Sequence, residues 1–152
     1  MELNYLDELE KIFKYIGKSN TIALATCSNN YPTVRLVSSI IYDYKIYFQT
    51  GIDLLKYEQI HDNKNVALCI NNIQIEGTAK IIGKTNEKQN NGIMEIYKMY
   101  HENPYRKTFN DEKVVIIEIN PLKITKWDYE DGKPYRIFID SEEKSIKKEV
   151  YV

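Results

Sequence analysis

Arg35 lies inside a β-patterned run, Val34-Arg35-Leu36-Val37. A second such run ends in Gln49-Thr50-Gly51, just before a helical stretch that carries Lys56 in its first turns. Such a set can converge on one phosphate. Arginine offers a planar fork, threonine a hydroxyl, lysine a point charge, and the helix N-terminus its free amides. The chain holds 3 arginines against 18 lysines, so an arginine in a strand stands where a point charge would not serve. An ordinary ion pair with a surface carboxylate fits the same residue, and spacing alone leaves both open.

Little else in the chain reads as acid–base machinery. His61 and His101 are the only histidines, both in polar helical contexts. There is no Ser-His-Asp pattern, no metal-ligand spacing, and no carboxylate pair that can be set across a cleft. A catalyst of this composition takes its chemistry from a cofactor and leaves the protein to bind and orient it. Trp127, the single tryptophan, can stack on a flat ring or pack in a core. Gln49, Asn72 and Gln74 are strand amides of the kind that hydrogen-bond a heterocycle edge. Cys27 and Cys69 stand alone in apolar strand patterns and read as buried free thiols in a reducing compartment.

The elements that must position these residues follow from hydrophobic periodicity. Residues 3–17 place Leu6, Leu9, Ile12, Phe13 and Ile16 at helical spacing, stopped by Gly17. Strands are expected over 21–26, from Pro32 through Ile41, and over 45–50, with Ser28-Asn29-Asn30 and Asp43-Tyr44 as turns. A helix over 53–62 leads to strands at 65–70 and 73–83. A second long helix covers 86–101, closed by Pro104. Strands at 114–119, 123–128 and 135–139 complete a body spanning 1–140, and a charged, mobile tail is expected over 141–152. Many strands around a few helices predict a mostly antiparallel β-barrel with helices packed outside.

With 152 residues the chain is long enough for one domain with a proper core. A net charge of −1 gives no reason to expect nucleic acid. Its apolar runs fall far short of a membrane span. The opening Met1-Glu2-Leu3-Asn4 lacks the basic and apolar regions of a secretory signal. Together these predict a cytoplasmic protein.

The ordered motifs Ala23-Leu24-Ala25-Thr26, Tyr31-Pro32-Thr33-Val34-Arg35-Leu36-Val37, Ile46-Tyr47-Phe48-Gln49-Thr50-Gly51 with Lys56, Asn65-Val66-Ala67-Leu68 and Ile73-Gln74-Ile75-Glu76-Gly77-Thr78-Ala79 resemble the pyridoxamine-phosphate-oxidase-like flavoproteins. The resemblance covers about residues 20–85 and, more loosely, 114–140. It implies a split β-barrel that binds FMN at a homodimer interface. By position, Arg35 and Lys56 would hold the FMN phosphate, with Thr50 helping. The backbone of Leu36 and Val37, with Ser38, would lie along the isoalloxazine edge, and Gln49 near the ribityl chain or phosphate. Asn72 falls where the family often has a glutamine that contacts the ring from the other subunit. Trp127 falls near a family tryptophan at the cofactor pocket.

The departures carry as much meaning. Ile40 replaces a substrate-holding lysine, Met99 and Asn103 replace a tyrosine and an arginine, and Leu55 replaces a second phosphate arginine. Of a late Arg-x-His-x-Arg pattern only Arg136 remains. The resemblance therefore points away from a vitamin B6 oxidase and toward short members such as nitroimidazole-resistance proteins and flavin reductases. The expected function is an FMN-dependent oxidoreductase passing electrons from a reduced nicotinamide to a small planar acceptor, a nitroaromatic or quinone. The alternative is a store or sensor of flavin, haem or deazaflavin on the same fold.

Overall fold

The computed structural model describes residues 3–152; Met1 and Glu2, the first half of the N-terminal stretch read above for a signal, lie outside the described residues. Helix α1 (Tyr5–Ile16) is capped by the Asn4 side chain, which accepts from the Asp7 amide at 3.1 Å. It ends where Gly17 takes φ +86°, a conformation that favours glycine. Strands β1 (Ser19–Ser28), β2 (Tyr31–Tyr42) and β3 (Lys45–Gly51) follow as two antiparallel hairpins. Both hairpin turns use paired left-handed residues, Asn29-Asn30 and Asp43-Tyr44. That twist matches the flanking strands. Helix α2 (Leu55–Asp62) leads to β4 (Asn65–Ile70) and β5 (Ile73–Lys84). A 3₁₀ turn (Lys88–Asn90), α3 (Asn91–Tyr100) and α4 (Glu102–Thr108) then precede β6 (Val114–Glu130), β7 (Lys133–Asp140) and β8 (Ser145–Val150).

The strands run β3-β2-β1-β4-β5-β6, and β3 also pairs with β6, from Ile46↔Ile119 to Gly51↔Val114. The result is a closed, six-stranded antiparallel barrel, with β7 and β8 extending the sheet beyond β6 and four α-helices outside. This is the split-barrel architecture expected from the sequence. Inward residues at alternate strand positions, such as Ile22, Leu24, Phe48, Leu68, Ile75 and Ile117, fill the interior, and Ile12, Phe13 and Ile16 of α1 and Ile60 of α2 join that cluster. A smaller outer cluster packs Met94 and Tyr97 of α3 over Ile40, Tyr47 and Ile116. No helix among the described residues is long and apolar enough to cross a membrane.

Four local expectations are corrected. First, β6 is one strand through Asn120-Pro121, because the proline sits at a register shift: Glu76 pairs with Lys123 but Gly77 with Pro121. Such a bulge tolerates a residue without an amide hydrogen. Gly77 permits the bulge, since a Cβ there would lie 2.5 Å from the Asn120 carbonyl oxygen. Second, the long helix over 86–101 is shorter and is followed by α4, with Pro104 in its first turn rather than after a helix end. A missing N–H costs nothing in a first turn. Third, the charged tail includes β8, paired with β7 from Asp140↔Ser145 to Tyr135↔Val150. Its lysines mark an edge strand rather than a mobile end. Fourth, Cys69 is exposed and Cys27 half-buried. Strand alternation sends Leu68 and Ile70 inward and turns Cys69 out.

Candidate functional site

Arg35 sits on β2 opposite Leu24 of β1, at the end of the barrel that α2 covers. Its Nη1 donates to the Leu24 carbonyl at 3.2 Å and to Thr26 Oγ1 at 2.7 Å. Its Nη2 donates to Thr33 Oγ1 and makes a long contact, 3.5 Å, with Gln59 Oε1. All four acceptors are neutral. Burial lowers the pKa of the guanidinium, which nonetheless stays charged. Lys56, one residue into α2, lies near it. Burial, and after it the Arg35 charge, hold the Lys56 ammonium below its ordinary range. Among the described residues neither cation forms an ion pair, although seven lysine or arginine ion pairs with carboxylates are present elsewhere.

The α2 N-terminus adds to this positive end. Its N-cap, Leu54, provides no side-chain acceptor. The Gly51 carbonyl accepts from the Leu54 amide at 3.2 Å, and the Leu54 carbonyl from Tyr57 and Glu58. The Leu55 and Lys56 amides have no partner among the described residues. Thr50 closes β3 just before this turn. It is buried, and its hydroxyl has only a 3.5 Å contact to the Gly51 carbonyl. Two cations without a counter-ion among the described residues, two free amides and an under-used hydroxyl are each groups of the kind that bind an oxyanion.

The other expected site residues divide between two further places. On β2, Val37 points into the core while Leu36 and Ser38 face outward. Gln49 is turned to the outer face beneath α3 and α4. Its Oε1 accepts from Thr108 Oγ1 at 2.5 Å, and its Nε2 lies 3.6 Å from Met94 Sδ. These contacts tie it to the helical layer.

Asn72 and Trp127 stand together. The Asn72 side chain donates to the Trp127 carbonyl, and the Trp127 amide donates to the Asn72 carbonyl at 3.0 Å. They line a groove of about 640 Å³ with Gln74, Thr125, Arg136 and Lys147. Trp127 is 36% exposed. Its ring carries the Arg136 guanidinium, with Cζ 4.0 Å from the centroid, a cation–π contact. Arg136 Nε is buried without a hydrogen-bond partner. Arg35, Lys56 and Thr50 do not line this groove.

Sequence reasoning missed the residues that hold Arg35. Gln59 of α2 is buried and reaches Thr26, Thr33 and the Tyr31 carbonyl. The available signal was an amide three residues after Lys56, and so on the same face of α2 as that lysine. Tyr151, whose ring lies 5.3 Å from Trp127, was hidden in the tail.

A family model described as pyridoxamine 5'-phosphate oxidase matches residues 8–128. Among solved structures, general stress protein 26 from Bacillus anthracis is 23% identical, with TM-score 0.67 over 88% of this chain and 98% of that one. A general stress protein 26-related protein of the pyridoxinephosphate oxidase family from Clostridium acetobutylicum is 15% identical, with TM-score 0.68 over 94% of this chain and 100% of that one. HutZ, the haem storage protein from Vibrio cholerae, is 10% identical, with TM-score 0.63 over 78% of this chain and 91% of that one. No curated protein sequence matches the chain. The family match covers most of the chain, and its residues include Arg35, Lys56, Asn72 and Trp127: the chain belongs to the pyridoxamine 5'-phosphate oxidase family.

Proposed function

We propose that the chain binds FMN and acts as an oxidoreductase, passing electrons from a reduced nicotinamide to a small planar acceptor such as a nitroaromatic or quinone. The observation that carries this reading is the Arg35–Lys56 pair, two part-buried cations beside an uncapped helix start with no carboxylate partner among the described residues. Leaving them unbalanced is costly, and a phosphate dianion balances both. Arg35 Nε, the Lys56 ammonium and the Leu55 and Lys56 amides are the donors left for it, and Thr50 stands at the same turn. These residues fit the phosphate end of FMN.

A bound flavin supplies the electron chemistry; the chain binds it, orients it and limits water. The Leu36–Ser38 backbone is proposed to run along the ring. Val34 and Leu36, each 69% exposed on the outward face of β2, would be covered by a second copy of the chain. The groove of that copy, with its own Asn72 and Trp127, would complete the pocket. Gln49 would contribute through the Thr108 contact that fixes it rather than by direct reach.

The substrate of a vitamin B6 oxidase fits poorly. Ile40 is buried beneath α3, and Met99 is 74% exposed. Neither offers charge to a substrate phosphate.

The test uses purified protein reconstituted with FMN. A bound-flavin absorbance spectrum and steady nicotinamide oxidation that depends on an added nitroaromatic or quinone support the reading. A Soret band after haem addition with no flavin uptake, or bound flavin without turnover, would place the chain among binding proteins instead.

A further inference from the structure

We propose that Gln59 is a positioning residue: it aims the Arg35 guanidinium at the phosphate and leaves its charge unspent. The inference rests on the reading of Arg35 and Lys56 as a phosphate site. The geometry defines a chain of donors. Gln59 Nε2 donates to the Tyr31 carbonyl at 3.0 Å, and a carbonyl can only accept, so the amide orientation is fixed. Gln59 Oε1 therefore faces Thr26 Oγ1 at 2.5 Å and Thr33 Oγ1 at 2.6 Å. Arginine can only donate, so both hydroxyls accept from Arg35 and send their single protons on to Gln59. One buried amide oxygen thus ties the two arms that grip the two Nη atoms.

The choice of amide matters. A carboxylate at this position would hold the same two hydroxyls but neutralise Arg35 from behind. A neutral acceptor sets the direction of the guanidinium without cancelling its charge. Because the Nη groups are held by Leu24, Thr26 and Thr33, the edge comprising Nε and the loosely held side of Nη2 is left for an oxyanion. Gln59 is on α2, as is Lys56. The helix that brings the lysine therefore also sets the arginine.

The experiment measures FMN and riboflavin binding to the full chain, in wild type, Gln59→Glu and Thr33→Val. Riboflavin lacks the phosphate, so it reports the rest of the pocket. Wild type should prefer FMN. Each variant should lose about tenfold or more in FMN affinity, with riboflavin affinity changed less than about twofold. General loosening of the barrel end would weaken both ligands alike and would overturn the proposal. A wild-type protein with no preference for FMN removes the phosphate reading, and this inference with it. A wild-type preference that persists undiminished in folded variants removes the role of Gln59 alone. Thr33 is half-buried on β2, so its valine variant carries the test if Gln59→Glu fails to fold.

Discussion

Burial, and after it the Arg35 guanidinium, hold the Lys56 ammonium below its ordinary pKa, and no carboxylate among the described residues pairs with either cation. A fold that keeps such a pair stores an unfavourable interaction that an anion can release.

The stored cost has a sign that can be measured. Below its folded pKa, Lys56 is charged in both the folded and unfolded chain, and the folded state carries the whole penalty. Between that value and 10.5 the unfolded chain holds more protons, so stability rises with pH. Lys56→Met should therefore raise the melting temperature of the flavin-free protein at neutral pH by about 1–2 °C, on the order of 0.5 kcal/mol because the solvent that still reaches the side chain screens the repulsion. The gain should shrink as pH climbs toward 10.5. The same variant should bind FMN more weakly. Thermal melts across pH with and without FMN check both, and a variant less stable than wild type at neutral pH contradicts the repulsion.

Arg35→Lys should weaken FMN binding by about tenfold or more. Lysine keeps the charge but has no fork with which to hold Thr26 and Thr33 while presenting an edge to phosphate. Fluorescence titration of flavin reads the change. Unaltered affinity in a folded variant would mean that the arginine is structural.

Local signals in the sequence specify part of this fold and site, and residue pairs far apart in the chain specify the rest. Arg35 and Lys56 stand out because arginine is scarce and the helix start follows a strand end, and in the fold the Arg35 charge is felt at Lys56. The barrel was readable because strand alternation and the Asn-Asn, Asp-Tyr and Asp-Gly turns are local signals. What failed was non-local. Pro121 looks like a strand breaker until Gly77, 44 residues earlier in the chain, provides the bulge. The lysines of β8 look like a solvated tail until β7 pairs with them. Gln59 looks like a surface amide until Thr26, Thr33 and Arg35 close around it. Each depends on a partner from a distant segment, which periodicity cannot report.

Gly77→Ala should destabilise the protein by about 1–3 kcal/mol. The added Cβ would meet the backbone oxygen of Asn120 at 2.5 Å, and backbone at a paired bulge cannot step aside as a side chain can. Urea denaturation measures it, and a change within error would mean that the bulge is plastic.

Leu36→Glu should separate the proposed homodimer. Val34 and Leu36 project from the outward face of β2, and a charge at the centre of an apolar interface is costly. Sedimentation at micromolar concentration should give about twice the chain mass for wild type and a single chain mass for the variant. A wild-type monomer that still binds FMN tightly would exclude a pocket shared between two copies.

Flavin-loaded protein should form no pyridoxal phosphate from pyridoxine phosphate under air at the rates of roughly 1–1,000 per second common for enzymes. Ile40 and Met99 offer no charge to a substrate phosphate. Product formation that saturates at micromolar substrate would contradict this.

The central claim, that Arg35 and Lys56 receive the phosphate of a flavin, is tested most directly by titrating the flavin-free wild-type protein with FMN and with riboflavin by calorimetry. The account predicts that FMN binds at least about tenfold more tightly, a difference of roughly 1.4 kcal/mol, and that the difference narrows as salt is raised. Equal affinity for the two flavins, or no flavin binding at all, would contradict it.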